Sequence, residues 1–213
     1  MTAVVVIAKE CRPGRVKTRL TPPFTPAEAA RLAAASLDDT LETVAALPVA
    51  RRVLYFEGRN PPATAHGFDV IRQAGGELDE RLAVVFDALA EPMLLVGMDT
   101  PQFRPDDVRE AIAGLESTGA DAPDCWLGPA ADGGFWALGM RMPRGDVIRG
   151  VPMSRDDTGA VQRRRLEEAG LSVGQMPVLA DVDTAAEASV IAELAPDSRF
   201  AREFRRLTAG RPA

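Results

Sequence analysis

Histidine and cysteine are nearly absent from this chain: His66, Cys11 and Cys125 are all that 213 residues contain. Two cysteines outside any C-x-x-C pair build no disulfide framework. A zinc site of the usual Cys/His type lacks ligands. A Ser-His-Asp or Cys-His nucleophile would have to use His66, which sits between Pro62 and Gly67 and reads more simply as a solvated loop histidine. The chemistry expected here therefore runs on carboxylates, a hard metal, lysine and arginine. Long apolar runs are missing too. The longest, Ala3 to Ala8, is far too short to span a bilayer and ends at Lys9-Glu10. No basic segment precedes it, as a signal peptide would require. A cytoplasmic chain without membrane contact is expected.

The charge balance, 25 Lys+Arg against 31 Asp+Glu, disfavours a generic nucleic-acid partner. The cations are nonetheless uneven. Lys9, Arg12, Arg15, Lys17 and Arg19 crowd into eleven residues opposed only by Glu10. Positive charge concentrated in one segment of an acidic protein points to a local anionic ligand. The size suits one domain with a substantial core, and no repeat or long linker divides the chain. A single nucleotide-binding unit over residues 1–213 is expected.

Ala3 to Ala8 reads as a buried parallel strand, apolar on both faces. Thr25-Pro26-Ala27-Glu28 is a helix start: Thr25 caps, Pro26 suits the first helical position, and Glu28 closes a capping box. Apolar residues recur at helical spacing to Val44. Strands are expected at Arg52–Phe56, Asp69–Arg72, Met93–Gly97, Cys125–Leu127, Phe135–Met140 and Val178–Val182. Helices are expected at Leu78–Leu89, Asp106–Leu115, Thr158–Ala169 and Thr184–Leu194, and from Ser198 to Leu207 with Phe200, Phe204 and Leu207 on one face. The alternation predicts an α/β three-layer sandwich with a mostly parallel central sheet.

Ligands of open α/β sheets bind at the carboxyl ends of the strands, and four unusual segments fall there. Lys9 to Arg19 follows the first strand. Pro13 and Gly14 let it turn, and its cations can close around a triphosphate, although it lacks the Walker pattern. Gly97-Met98-Asp99-Thr100-Pro101 delivers one carboxylate, able to hold Mg²⁺ beside phosphate oxygens or to cap the next turn. Gly128 to Trp136 contains Asp132-Gly133-Gly134, either a hairpin turn or a holder of an acceptor. Asp181-Val182-Asp183-Thr184 ends with Asp183 as helix cap or second metal ligand.

Five motifs in order carry a family resemblance. They are Ile7-Ala8-Lys9-Glu10 with Pro13-Gly14-Arg15-Val16-Lys17-Thr18-Arg19-Leu20; Gly75-Gly76-Glu77-Leu78-Asp79-Glu80-Arg81-Leu82; Val96 to Pro101; Leu127 to Phe135; and Asp181 to Thr184. The chain resembles the DUF2064 family, the rSAM/selenodomain-associated transferase 1 group with the nucleotide-diphospho-sugar transferase (GT-A) fold. The resemblance implies that the first loop, through Ala8, Lys9, Gly14, Arg15, Lys17 and Arg19, grips a nucleotide together with Gly75 and Arg81. It also implies that Asp99 and Asp183 bracket Mg²⁺ or Mn²⁺. Cys11 replaces a usual proline, Asp79 a usual glycine, and Met153-Ser154-Arg155 a usual Trp-Ser-Thr near the acceptor.

The activity expected is nucleotidyl transfer from an NTP to a small phosphate or phosphonate acceptor, with pyrophosphate released. Lys17, Asp99 and Asp132 are the expected catalytic residues. The alternative is glycosyl transfer from an NDP-sugar. Such enzymes usually carry D-x-D at a mid-chain strand end, where this chain reads Met98-Asp99-Thr100. A homodimer is one assembly the sequence allows.

Overall fold

A computed structural model of the chain describes residues 1–119 and 121–209. The unit expected over 1–213 thus includes residues 120 and 210–213, which lie outside the described residues.

The opening apolar run forms β1 (Ala3–Lys9), with Ala3 to Val6 fully buried. Its two sets of side chains enter different cores, as strand alternation requires. Val4, Val6 and Ala8 pack toward α1 (Pro26–Ala45) and α3 (Pro105–Glu116). Ala3 and Val5 pack toward α2 (Leu78–Ala88) and α4 (Thr158–Glu168). A strand buried on both faces has no polar alternation, which is why the run is continuous. The remaining strands are β2 (Arg51–Glu57), β3 (Asp69–Arg72), β4 (Met93–Gly97), β5 (Cys125–Pro129), β6 (Phe135–Met140) and β7 (Val173–Gln175). Their order is β3-β2-β1-β4-β6-β5-β7. β6 runs antiparallel to β4 and β5, and every other pairing is parallel. The fold is the α/β sandwich with a mostly parallel sheet that the sequence predicts.

The signal at the start of the first long helix acts as read. Thr25 accepts from the Glu28 amide while the Glu28 carboxylate accepts from the Thr25 amide, a complete capping box. Thr184 and Glu187 do the same for α5 (Ala185–Leu194), so Thr184 caps that helix and Asp183 does not. The helix α6 (Arg199–Thr208) docks Phe200 and Leu207 in a third core beside α1 and α5. Asp39 of α1 receives the Arg199 and Phe200 amides there.

The strand expected at Val178–Val182 is not one. The ladder closes instead on β7, and the later segment keeps a single bridge, Leu179 to Ala130. Val173-Gly174-Gln175 lacks an apolar run, so the pattern hid it. Gly174 is there because the Trp126 ring lies 2.8 Å from where a Cβ would stand. Pro177 interrupts the pairing, and the chain crosses toward β4, where the Val182 amide donates to the Asp99 carbonyl at 2.9 Å.

Candidate functional site

Two hollows open at the carboxyl ends of the strands and share a wall made of Lys9, Glu57, Gln73 and Arg81. The wall is built from one polar network. Gln73 donates to the Ala8 and Tyr55 carbonyls at 2.8 and 2.9 Å, and its Oε1 accepts from Arg81 at 3.0 Å. Tyr55 donates its hydroxyl to the Arg81 carbonyl and accepts from the Ala74 amide. Arg81 completes it with an ion pair to Glu57 at 2.9 Å. A parallel sheet presents these groups on one rim because β1, β2 and β3 all end there.

The first hollow, about 730 Å³, is basic. Lys9, Arg15, Arg59 and Arg72 line it, and none of the four makes an ion pair or side-chain hydrogen bond among the described residues. They come from β1, the loop after it, the loop after β2 and the end of β3. The nearby acid is committed. Glu10 accepts from Asn60 at 2.9 Å, from the Arg59 amide at 3.1 Å and from Arg12 at 2.7 Å. The Asn60 and Arg59 hydrogen bonds, ahead of Arg12, draw its carboxyl down to about 2.

The second hollow, about 340 Å³, holds the carboxylates Asp99, Asp132 and Asp181. Asp99 follows β4, and its carbonyl holds Val182, which brings Asp181 alongside. Ser36 of α1 fixes the same turn by donating to the Met98 carbonyl at 2.8 Å. Asp132 sits in the turn joining β5 to β6, where its Oδ1 accepts from the Gly134 amide at 2.9 Å; hairpin and site lining thus coexist. Gly133 is required in that turn. Its φ is +90°, and a Cβ would lie 1.8 Å from the Asp156 carbonyl oxygen. The Gly159 amide donates to the Gly133 carbonyl at 2.8 Å, so the start of α4 is pinned over the turn.

Asp181 is the unusual member. Its Oδ1 is shut off from solvent with no hydrogen-bond partner among the described residues. Burial, then the neighbouring Asp99 carboxylate, pushes its carboxyl up to about 7. The Thr100 hydroxyl, in the same lining, is likewise buried without a partner among the described residues. These carboxylates are partly neutralised by the first loop. Lys17 Nζ lies 3.0 Å from Asp99, with only 10% of the lysine side chain exposed. Arg19 lies 2.5 Å from Asp183. Lys17 reaches inward from a left-handed backbone, φ 47° and ψ 44°.

The residues singled out in the sequence are thus distributed. Ala8, Lys9, Arg81, Asp99 and Asp132 line the acidic hollow, and Lys9, Arg15, Gly75 and Arg81 line the basic one. Gly14 forms a turn at φ +74° and, with Lys17, Arg19 and Asp183, is in neither lining. Lys17 and Arg19 are held on Asp99 and Asp183. His66 is exposed in its loop. Sequence reading passed over Asp181, Arg59 and Arg72. Asp181 had a signal, the first position of its D-x-D. Arg59 and Arg72 had none, because only strand order brings them beside Lys9.

A family model described as an uncharacterized protein conserved in bacteria, DUF2064, matches residues 40–155. No curated protein matches the chain by sequence. Among solved structures, a protein classed as a nucleotide-diphospho-sugar transferase from Desulfovibrio desulfuricans superposes with TM-score 0.82 at 24% identity, covering 98% of this chain and 95% of that one. CMP:2-keto-3-deoxy-manno-octonic acid synthetase, solved with CTP, gives 0.54 at 16% identity over 92% and 99%. Glucosyl-3-phosphoglycerate synthase of Mycobacterium tuberculosis, solved with Mn²⁺, UDP and glucosyl-3-phosphoglycerate, gives 0.52 at 12% identity over 94% and 80%. The fold is of the GT-A type shared by nucleotidyl and glycosyl transferases.

Proposed function

The chain belongs to the DUF2064 family, and from that premise we propose that it is a nucleotidyltransferase that passes a nucleotidyl group from an NTP to a small phosphate or phosphonate. One observation carries this reading. Lys9, Arg15, Arg59 and Arg72, from four parts of the chain, line one groove with no ion pair among the described residues, the groove's own Glu10 and Glu57 being taken by Arg12 and Arg81, and that groove shares its wall with a carboxylate hollow. Unpaired cations converging on a groove are the complement of a polyphosphate. The solved relatives with CTP and with UDP are nucleotide-binding proteins of this fold, which supports the choice of ligand.

In the proposed reaction an acceptor oxygen forms a bond to the α-phosphorus. The bond from that phosphorus to the bridging oxygen breaks, and pyrophosphate leaves with the electron pair. An ionised phosphate needs no strong base to attack, so positioning and charge neutralisation are the main tasks. That suits a chain with one histidine. Arg15 and Lys9 bind the triphosphate. Lys17, now on Asp99, turns to the phosphates as they enter. Asp132 orients the acceptor.

The donor set also fits a hard divalent cation. Asp99 and Asp181 supply carboxylate oxygens, and the orphaned Asp181 Oδ1 is a buried acceptor that wants a positive partner. Asp183 can join only if Arg19 releases it. When bound, Mg²⁺ or Mn²⁺ would neutralise charge developing on the α-phosphate. Among the described residues no cluster of three or more His, Cys, Asp or Glu side chains is gathered as a metal cage.

The test is product analysis. The four NTPs and a set of NDP-sugars are each incubated with sugar phosphates and phosphonates. Pyrophosphate release that needs both NTP and acceptor is the expected result. NDP release from an NDP-sugar would instead establish glycosyl transfer on the same fold. Turnover of neither donor would overturn both.

A further inference from the structure

The carboxylate hollow has a second side that the transfer chemistry leaves unused. Ile7 of β1, Leu78 of α2, Phe135 of β6 and Met153 of the segment before α4 all line it. Each is only partly buried, and each rests on the core beneath α2 and α4. Leu82 and Leu95, fully buried, form the floor between them. Three strand or helix residues and one loop residue thus bring half-covered apolar side chains to the hollow that Asp99, Asp132 and Asp181 also line.

Thr158, Gln73 and Arg155, three of the polar residues that line the hollow with them, are already engaged. The Thr158 hydroxyl donates to the Pro152 carbonyl at 2.8 Å and accepts from the Arg155 amide at 3.1 Å. Both ends of the Gln73 amide are satisfied within the protein. Arg155 at the mouth is forked onto Asp157 at 2.9 and 3.0 Å. A polyol whose hydroxyls faced Ile7, Leu78, Phe135 and Met153 would exchange water for hydrocarbon there, which opposes binding. A hydrocarbon body would cover exposed apolar surface and gain by it.

We infer that the acceptor is a short alkyl phosphoric or phosphonic acid: its anionic head faces the carboxylate and cation side, and an unhydroxylated carbon body lies against Ile7, Leu78, Phe135 and Met153. Discrimination follows from the wall, not from the phosphate. A site lined this way binds hydroxylated analogues of equal charge more weakly, by about ten- to a hundredfold, because their hydroxyls lose hydrogen bonds on entry. This inference rests on the reading that the carboxylate hollow is the transfer site, and it narrows the substrate class within that reading.

The experiment compares 3-methylbutyl phosphate with glycerol 3-phosphate, which carry the same anionic head on an apolar and a hydroxylated body. Each is titrated calorimetrically into the full chain, with and without Mg²⁺ and NTP. The alkyl probe should bind at least tenfold more tightly. Met153→Gln and Leu78→Gln should each shrink that ratio severalfold while leaving NTP affinity and the thermal midpoint nearly unchanged. Two variants are used so that a folding defect in one leaves the other to decide. Equal or reversed preference, no binding of the alkyl probe, or an undiminished ratio in both variants would overturn the inference. NTP affinity, measured separately, reports on the nucleotidyl reading: a chain that binds NTP but prefers glycerol 3-phosphate keeps that reading and loses only the alkyl acceptor.

Discussion

The two hollows share a wall yet keep their charge in opposite ways. In the basic groove, the side chains of Lys9, Arg15, Arg59 and Arg72 make no ion pair or hydrogen bond among the described residues, while the local acid Glu10 is bound by Asn60, the Arg59 amide and Arg12. In the carboxylate hollow the acids face the first loop's own cations, Lys17 on Asp99 and, just outside, Arg19 on Asp183. The groove is therefore ready for an anion as it stands. The carboxylate side is partly neutralised from within, and Asp99 becomes fully available to a metal as Lys17 finds another partner. A polyphosphate supplies such partners, so the geometry couples the two halves.

The harshest way to break the contrast is at Asp99. Under the proposed function, Asp99→Asn keeps the side chain's shape but removes the charge that recruits the cation and holds Lys17. Turnover at saturating NTP and Mg²⁺ should fall roughly a hundredfold, about 3 kcal/mol of transition-state stabilisation. Near-normal turnover would place the metal elsewhere.

The frame of the carboxylate hollow can be broken without touching a charge. Gly133→Ala forces a Cβ into the Asp156 carbonyl at a positive φ. Denaturant unfolding should show a loss of about 2–3 kcal/mol. A wild-type midpoint would mean that the turn has room to move.

In the groove, Arg15→Ala removes one unpaired cation from a surface that has no stabilising contact with it. NTP affinity by calorimetry should drop roughly tenfold, about 1.4 kcal/mol, with an unchanged thermal midpoint. The loss should diminish as ionic strength rises. Unaltered affinity at low salt would move the triphosphate out of the groove.

Lys17→Met sharpens the comparison, because it unmasks Asp99 while leaving the groove intact. Mn²⁺ affinity of the nucleotide-free protein, followed by electron paramagnetic resonance, should rise severalfold, on the order of 1 kcal/mol for a half-screened charge. NTP affinity should fall in the same variant. Unchanged Mn²⁺ binding would show that Lys17 does not compete for the carboxylates.

The smallest effect concerns pH and Glu10. Its folded carboxyl titrates near 2, against an ordinary value of 4.5. A depressed carboxylate contributes stability above its unfolded value and loses it as pH falls toward the folded one. Wild type should therefore exceed Glu10→Gln in stability at neutral pH, and the difference should vanish between about pH 4.5 and 2. A gap that persists at pH 2 would assign the effect to packing.

Much of the architecture was legible because the local signals agree with one another. β3, β4 and β6 lie where they were expected, and the box at Thr25 closes as read, whereas the cap of α5 is Thr184 and not the expected Asp183. β7 was not legible, since three residues around Gly174 carry no pattern, and their pairing is set by the Trp126 ring and by β5. At the site, Asp99 and Asp132 were marked by an apolar strand ending in a carboxylate and by Asp-Gly-Gly. Choosing between Asp181 and Asp183 was beyond the pattern, because both belong to one D-x-D.

The sequence by itself determined the alternation of strands and helices, the cation-rich first loop and the scarcity of histidine that confines the chemistry to oxygen and nitrogen charges. Those features are local: each is written in adjacent residues. Only tertiary structure decided which charges meet. Parallel strands bring their carboxyl ends to one rim, so Lys9, Arg59 and Arg72 become neighbours although they are far apart in the chain. The Val182 amide on the Asp99 carbonyl fixes the late segment beside β4, turning Asp181 into the hollow while Asp183 meets Arg19. Which carboxylate is paired and which is left with a buried, unpartnered oxygen depends on that crossing, a long-range contact that no local pattern encodes.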